Sequence, residues 1–523
     1  MDKYIVAHDL GTSGNKAVLV STRGDVLGAS VEAYEVSFPK PGWAEQNPQD
    51  WWNAVCSSTK KLLEETGVSP ADVVGTTFSS QMVGLVPIDG NGQPVMNCMI
   101  WMDTRSEQQA KRLVKGLIRV SGYGLGRLRK WLKITGGGPS LAGKDPVSKI
   151  MWLREERPDL WADTRKLLDV GGYLLLRSTG RYLSSVDQAH VWWLMDTRKE
   201  SMGWSDDLLK LAGVPKEMMP EIVRCSDVVG KLDATVAAEL GLQEGTPVVA
   251  GTGDVAAAAV GSGAVREKEV HLYIGTSSWV CAHVQDRALD IFTSTGAICS
   301  AHPEKYLIVA EQETAGGCLE WAKNQLYHAE LLMREEGKEN LYQIFDEMVA
   351  KCEPGAKGLM FTPWMFGERV PVDDHSIRAS ILNLSLDHDR NHLMRALFEG
   401  IALNSKWALN AVEKLTKEPA SHVNFIGGGA KSDVWCQVFA DVLGRPIRQV
   451  VDPQMSGARG VALVAAYGLG YLDDFEQIAD LVKVKKTFEP RPQYRGLYDE
   501  MFSQFVNYYK RNKSWFRKAN RTH

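Results

Sequence analysis

The sequence predicts an α/β protein made of two related lobes. Three observations carry that expectation. Apolar, strand-like runs alternate with segments of helical spacing along the whole chain. An apolar run, a Gly-Thr-Ser turn and a second apolar run occur twice, half a chain apart, at HDLGTSGNKAVLV (8–20) and HLYIGTSSWVCAHV (271–284). Finally, 523 residues, 44% of them hydrophobic, are enough for two large domains or three ordinary ones, each with its own core.

IVAHDL and KAVLV read as strands paired across GTSG, and GDVLGASVEAYEVSF as further strand. PQDWWNAVCSSTKKLLEETG has helical spacing, with Trp52, Val55, Cys56, Leu62 and Leu63 on one face and Asn47 or Asp50 as its cap. VVGTTFSSQMVGLVPID reads as two short strands around a polar loop. GLIRVSGYGLGRLRKWLKITGGG (116–138) reads as a solvated basic insertion, with a subunit contact or a lid as alternatives. PVVAG reads as a buried strand entering the helix DVAAAAVG, and HVNF as a strand leading through IGGGAKSD (426–433) into the helix VWCQVFADVLG. A shift from small apolar to charged residues in VGSGAVREKE places a boundary near 262–268, dividing the chain into 1–264 and 265–523.

The composition narrows the class. With 60 Lys and Arg against 64 Asp and Glu, the net charge is −4, which leaves no electrostatic footprint for nucleic acid. The basic tail KRNKSWFRKANRTH reads as a solvated end. Eight cysteines without a CxxC pair or a Cys/His cluster predict reduced, buried thiols in a cytoplasmic protein and no structural zinc. MDKYIVAHDLG has no long apolar stretch, and no run nears the roughly 18 apolar residues of a membrane span. Neither a secretory signal nor a membrane partner is expected.

Several segments carry candidate chemistry. Asp9, before the GTSG turn, has two readings. Gly11 and Gly14 serve a tight hairpin, or the turn's N–H groups hold a phosphate while Asp9 holds its metal. In the second copy Tyr273 stands opposite Asp9, so only the first copy brings a carboxylate. Two lobes, each with a Gly-Thr turn, suit a polyphosphate gripped between them. GPSLAGK (138–144) has Walker A spacing, but Asp145 follows where a hydroxyl is required and no buried strand precedes. It reads as a flexible loop. Asp254, set among Gly and Ala, N-caps its helix, accepts a proton from a substrate hydroxyl, or does both. Gln81, Trp101, Asp103 and Arg105 are the polar and aromatic types that line sugar sites, and IGGGAKSD suits a nucleotide lying on bare backbone.

In order along nearly the whole chain, DLGTSGNKAVL, GWAEQNPQDWW, SSQMVGLVPID, IWMDTR, DPVSKIMWL, PVVAGTGDVAAAAVG, LYIGTSS, TPWMFGERVPVDD, HLMRALFEGIA and IGGGAKSDVWCQVFAD resemble the FGGY carbohydrate kinases of the actin-like ATPase superfamily. Among members the pattern is most similar to the xylulokinases. The resemblance implies two actin-like (ribonuclease H-like) lobes flanking a cleft. It also implies transfer of the γ-phosphoryl group of ATP, with Mg2+, to a sugar hydroxyl. D-xylulose is the first substrate implied, followed by another ketose, a polyol or a sugar acid.

By motif position the resemblance implies Asp254 as catalytic base and Asp9 at the metal. Thr12, Ser13 and Lys16 fall in the first phosphate loop, Gly275 and Thr276 in the second, and Gly316 and Gly317 line the same cleft. Gly428, Gly429, Ala430 and Asp433 fall on the adenosine side, and Gln81, Met82, Val83, Trp101 and Asp103 surround the sugar together with Asp254. An ordinary aspartate titrates near 4, so Asp254 would be ionised but weakly basic. A homodimer is implied by the resemblance alone.

Three positions depart from the family pattern. Val83 follows Met82 where His is usual, Met102 stands where Asn is common, and Asn383 replaces a usual Gly. The first two remove polar groups from the expected sugar site and set xylulose against other substrates. The competing reading is an actin- or chaperone-like ATPase without a sugar, against which Asp254 and the Gln81, Trp101 and Asp103 segment count.

Overall fold

The computed structural model describes residues 3–120, 122–327 and 341–520. Two sheets organise them. The first contains β1 (Tyr4–Leu10), β2 (Gly14–Ser21), β3 (Val26–Ala33), β4 (Val73–Ser80), β5 (Val228–Lys231) and β6 (Pro247–Gly253), in the order β3-β2-β1-β4-β6-β5. The second contains β7 (Val270–Ile274), β8 (Ser278–Val284), β9 (Leu289–Asp290), β10 (Thr295–Cys299), β11 (Tyr306–Gln312), β12 (Val423–Ile426), β13 (Ile447–Val450) and β14 (Val484–Phe488). Its order is β9-β10-β11-β8-β7-β12-β13-β14.

The pairing senses repeat. β3, β2 and β1 are antiparallel, β1 is parallel to β4 and β4 to β6, and β5 closes antiparallel. β11, β8, β7, β12, β13 and β14 follow the same succession, with β10 and β9 added beyond β11. The duplication suggested by two short turns is therefore a duplication of the whole sheet.

The helices that matter below are α1 (Pro48–Thr66), α2 (Leu125–Thr135), α3 (Pro146–Glu156), α4 (Asp254–Gly261), α5 (Gly316–Gln325), α6 (Asp433–Leu443), α7 (Ser456–Gly468) and α8 (Arg495–Ala519). The Asn47 side chain caps α1 by accepting from the Gln49 N–H, and Gly67 ends it at φ +66°. Its face of Trp51, Trp52, Val55, Leu62 and Leu63 is buried on the first sheet, and Cys56 sits half-buried at the edge of that face.

α4 follows β6 as α7 follows β13, and the two helices cross at small residues. A Cβ on Gly460 would stand 1.8 Å from the Ala257 carbonyl oxygen, and one on Gly261 would stand 1.8 Å from that of Ser456. Each helix also packs on the opposite half. Ala458, Val461 and Ala465 of α7 meet Ile5, Ala7 and Val18 of the first sheet, while Ala256 and Val260 of α4 meet Trp279, Cys281 and Ile426 of the second. Arg459 locks the crossing by donating to the Gly261 carbonyl at 2.8 Å and to that of Val451 at 2.7 Å.

Two sequence expectations change here. The insertion 116–138 is not wholly solvated. Trp131 and Ile134, three apart on α2, share a face buried against Val147, Ile150 and Trp192, and Arg287 donates to the Ile134 carbonyl at 3.0 Å. Its tip stays exposed, with Leu117, Ile118 and Val120 in solvent, as does Leu125 at the start of α2, and Ser121 lies outside the described residues. The basic tail is not a loose end either, since it continues α8 and buries Phe516; residues 521–523 lie outside the described residues. No helix among the described residues is long and apolar enough to cross a membrane. The eight cysteines are free, and seven are buried.

Buried histidines make stability depend on pH. His8, His190 and His271 are fully buried, and burial lowers each to about 3; His283 is lowered to about 4. Their unfolded-state value is 6.5. Between the folded and unfolded values the unfolded chain binds more protons, so the stabilisation is complete above 6.5 and is lost as pH falls. At pH 5.5 each such histidine costs about 1.4 kcal/mol. Thermal unfolding followed between pH 7.5 and 5.5 should show Tm dropping by several degrees, and a flat Tm would contradict neutral burial.

Candidate active site

The first turn closes with Gly11 N–H donating to the Gly14 carbonyl at 3.0 Å. Asp9 lies half-buried near the end of β1, where the Ser79 hydroxyl donates to it at 3.3 Å and Lys16 Nζ stands 3.8 Å away. Lys16 also reaches the other half of the chain, donating to the Gln454 carbonyl at 3.1 Å. Thr12 is held from two sides. Gln46 Nε2 donates to its carbonyl at 2.7 Å, and Trp101 Nε1 donates to its hydroxyl at 2.9 Å. Gln81 Nε2 in turn donates to Gln46 Oε1 at 2.7 Å. The first Gly-Thr turn and the residues expected at the sugar thus share one network, with Ser13 exposed at its tip.

The second turn is clasped by the start of α5. Gly316 N–H donates to the Gly275 carbonyl at 2.9 Å, and Gly317 N–H to that of Thr276 at 3.0 Å. A Cβ on Gly316 would stand 2.4 Å from the Gly275 oxygen, so the clasp needs glycine there. In the IGGG stretch expected at the adenosine, Gly427 turns the chain at φ +86° after β12, and its missing Cβ lets Ile274 of β7 approach. Gly428 then faces open space and Gly429 lies against Ile274. Gln449 Nε2 donates to the Ala430 carbonyl at 2.7 Å and to Asp433 at 3.1 Å, and Lys486 pairs with Asp433 at 3.1 Å. Three segments far apart in sequence therefore meet around the end of β7.

Asp254 opens α4. The cap position belongs to Gly253, and Asp254 is the first helical residue, accepting from the Val255 N–H at 2.9 Å. Burial in the first place, then the charge of Asp9, raises its carboxyl to about 7. The ordinary value expected from sequence is corrected accordingly. The Met82 side chain lies over Gly253 beside it, 2.7 Å from where a Cβ would be.

Val83 adopts φ +55°, a conformation costly for a β-branched side chain, and its carbonyl accepts from Lys149 Nζ at 2.8 Å. The buried ammonium of Lys149 also binds the Ile100 carbonyl at 2.8 Å, which ties α3 to both the Val83 and the Ile100 segments. Asp103 departs from the expectation. It is fully buried, with Arg105 paired at 2.6 Å and the Ala44 N–H donating at 2.8 Å. Both oxygens are engaged, so it positions Arg105, which stacks 3.7 Å from the Trp43 ring centroid. Asn383 takes φ +63°, a conformation that Asn tolerates in place of Gly.

Sequence reasoning missed one cluster. The loop 138–145 is not free. Ser106 Oγ donates to the Gly143 carbonyl at 2.7 Å, and Ser140 N–H donates to Asp145 at 2.5 Å. Pinned this way, it sets Lys144 against Trp101, 6.0 Å from its ring centroid, and beside Glu311, Glu313 and Arg369. Arg369 pairs with both glutamates. Reading the segment as a flexible loop hid this lysine, and the GER triplet within TPWMFGERVPVDD was the available signal for the arginine.

Models of the FGGY family of carbohydrate kinases match residues 4–261 with the N-terminal domain and residues 270–469 with the C-terminal domain. The chain belongs to the FGGY family of carbohydrate kinases. It is 30% identical to the xylulose kinase of Bacillus subtilis (strain 168), over 98% of this chain and 97% of that one. It is 26% identical to the gluconokinase of Bacillus licheniformis, over 97% and 96%. The gluconate kinase from Lactobacillus acidophilus shares the fold, with a TM-score of 0.86 at 24% identity over 99% of this chain and 100% of that one. As an FGGY kinase, the chain is a phosphotransferase built from two actin-like lobes about a cleft.

Proposed function

We propose that this FGGY kinase transfers the γ-phosphoryl group of ATP to a hydroxyl of D-xylulose, with Asp254 as base and Asp9 beside Mg2+. The observation that carries the reading is the placement of Asp254 as the first residue of α4, directly after β6, where burial and the charge of Asp9 raise its carboxyl to about 7. A base that titrates near neutrality suits removal of a hydroxyl proton at physiological pH. Asp254 takes that proton as the oxygen–phosphorus bond forms and the bond to the β-phosphate bridge oxygen breaks, releasing ADP. The residues fit a nucleotide. Glycine at 316 and 427 lets the start of α5 and the loop after β12 close onto the end of β7, and Gly428 beside them borders open space. Mg2+ at Asp9 would neutralise phosphate charge; Lys16 adds a fixed cation on the same side. The reading places the enzyme in the cytoplasm.

ADP release should be measured with Mg-ATP and D-xylulose, D-ribulose, L-ribulose, erythritol, glycerol or D-gluconate. The strongest response is expected from D-xylulose; a preference for D-gluconate would move the assignment toward sugar acids, and silence with all six would overturn it. Val83 favours keeping the second class in view, because it offers no side-chain hydrogen bond at the expected sugar. Val83→His should raise kcat/KM for D-xylulose, and it also relaxes φ +55°, which His tolerates better than Val. An unchanged kcat/KM for every sugar would place residue 83 outside the pocket.

A further inference from the structure

Tyr273 occupies on β7 the position that Asp9 occupies on β1, two residues before the glycine of the phosphate turn. Its ring is stacked on Trp279 with centroids 3.9 Å apart and planes 7° apart, and Trp279 is anchored in turn by an indole N–H to His271 at 3.3 Å. The ring covers the second turn. Its hydroxyl and nearest ring carbons lie 2.5–2.8 Å from where a Cβ on Gly275 would stand, so Gly275 and Tyr273 fit only as a pair. The hydroxyl donates no hydrogen bond to another described residue. Burial and the charges of Asp9 and Asp254 raise the phenol far above its ordinary value. It therefore stays neutral and keeps its proton.

We propose that the Tyr273 hydroxyl is a further catalytic group, donating a hydrogen bond to an oxygen of the phosphoryl group in transit. The proposal rests on the kinase reading above. A carboxylate at this position, the symmetric equivalent of Asp9, would set a third negative charge beside Asp9 and Asp254 and repel the phosphates. A phenol held rigidly by Trp279 supplies a preorganised donor instead.

Tyr273→Phe isolates the hydroxyl, because the ring, its stacking and its cover over Gly275 all remain. With the sugar that the wild type phosphorylates, kcat should fall about tenfold to a hundredfold, as for a lost hydrogen bond to a charged group. KM for that sugar should stay within about twofold, since the donor acts on charge developed in the transition state. Affinity for ADP with Mg2+ and aluminium fluoride, a mimic of the phosphoryl group in transit, should fall by a similar factor. Affinity for ADP alone and Tm should not move. Wild-type kcat and fluoroaluminate affinity in Tyr273→Phe would overturn the proposal, as would a parallel loss of ADP affinity and Tm. If no sugar stimulates the wild type, the kinase reading fails, and the fluoroaluminate comparison still decides whether the hydroxyl meets the phosphoryl group.

Discussion

Asp254→Asn should lower sugar phosphorylation at least about a hundredfold while ADP still binds, the scale of a lost general base. The substitution keeps the size of the side chain and an oxygen for the Val255 N–H, so α4 should form as before. What disappears is the group proposed to take the proton. The same carboxyl makes a second expectation available. It titrates at about 7 in the free protein, and only its ionised form accepts a proton. Wild-type kcat/KM should therefore decline as pH falls below about 7, and the residual rate of Asp254→Asn should lack that limb. A folded variant with near-normal turnover would remove Asp254 from the role. An acid limb near 4 in the wild type would contradict the shift caused by burial and Asp9.

Gly460→Ala should destabilise the protein by about 3 kcal/mol, the upper range for overpacking a tight core. Intrinsic propensity argues the other way, because Ala is favoured over Gly inside a helix by about 1 kcal/mol. Packing decides the sign. The new Cβ would stand 1.8 Å from the Ala257 carbonyl oxygen, and that atom is backbone, so α4 and α7 would have to part. The strain would reach the site, since α4 carries Asp254 and Gly457 of α7 lies against Asp9. Urea denaturation should show a lower midpoint at unchanged m, with lower turnover. A variant as stable as the wild type would show that the crossing relaxes without cost.

The candidate residues that the sequence singled out share a local cause. Asp9, the two Gly-Thr turns, the IGGG stretch and Asp254 are each defined within a few residues by a strand, a turn and the start of a helix. That is the range over which periodicity and glycine placement carry information. Asp103 was misread because its neighbour Arg105 folds back onto it, so a polar residue of the right type is already occupied. The loop 138–145 was misread for the opposite reason. With the Walker reading set aside it was read as flexible, whereas two hydrogen bonds that pin it involve Ser106 and Asp145.

The sequence by itself determined the α/β class, the pairing of strands across both turns and the candidate base. It also carried the likeness that the FGGY family models later bore out. Tertiary structure alone decided three further things. It turned two matching turns into two matching sheets, because strand order is set by contacts between distant segments. It crossed α4 with α7 at Gly261 and Gly460, so each half is completed by a helix of the other. And it moved Asp254 from an ordinary aspartate to one that titrates near neutrality. A side chain's identity is local, but the water removed from it and the charge set beside it come from elsewhere in the chain, and these determine its proton affinity.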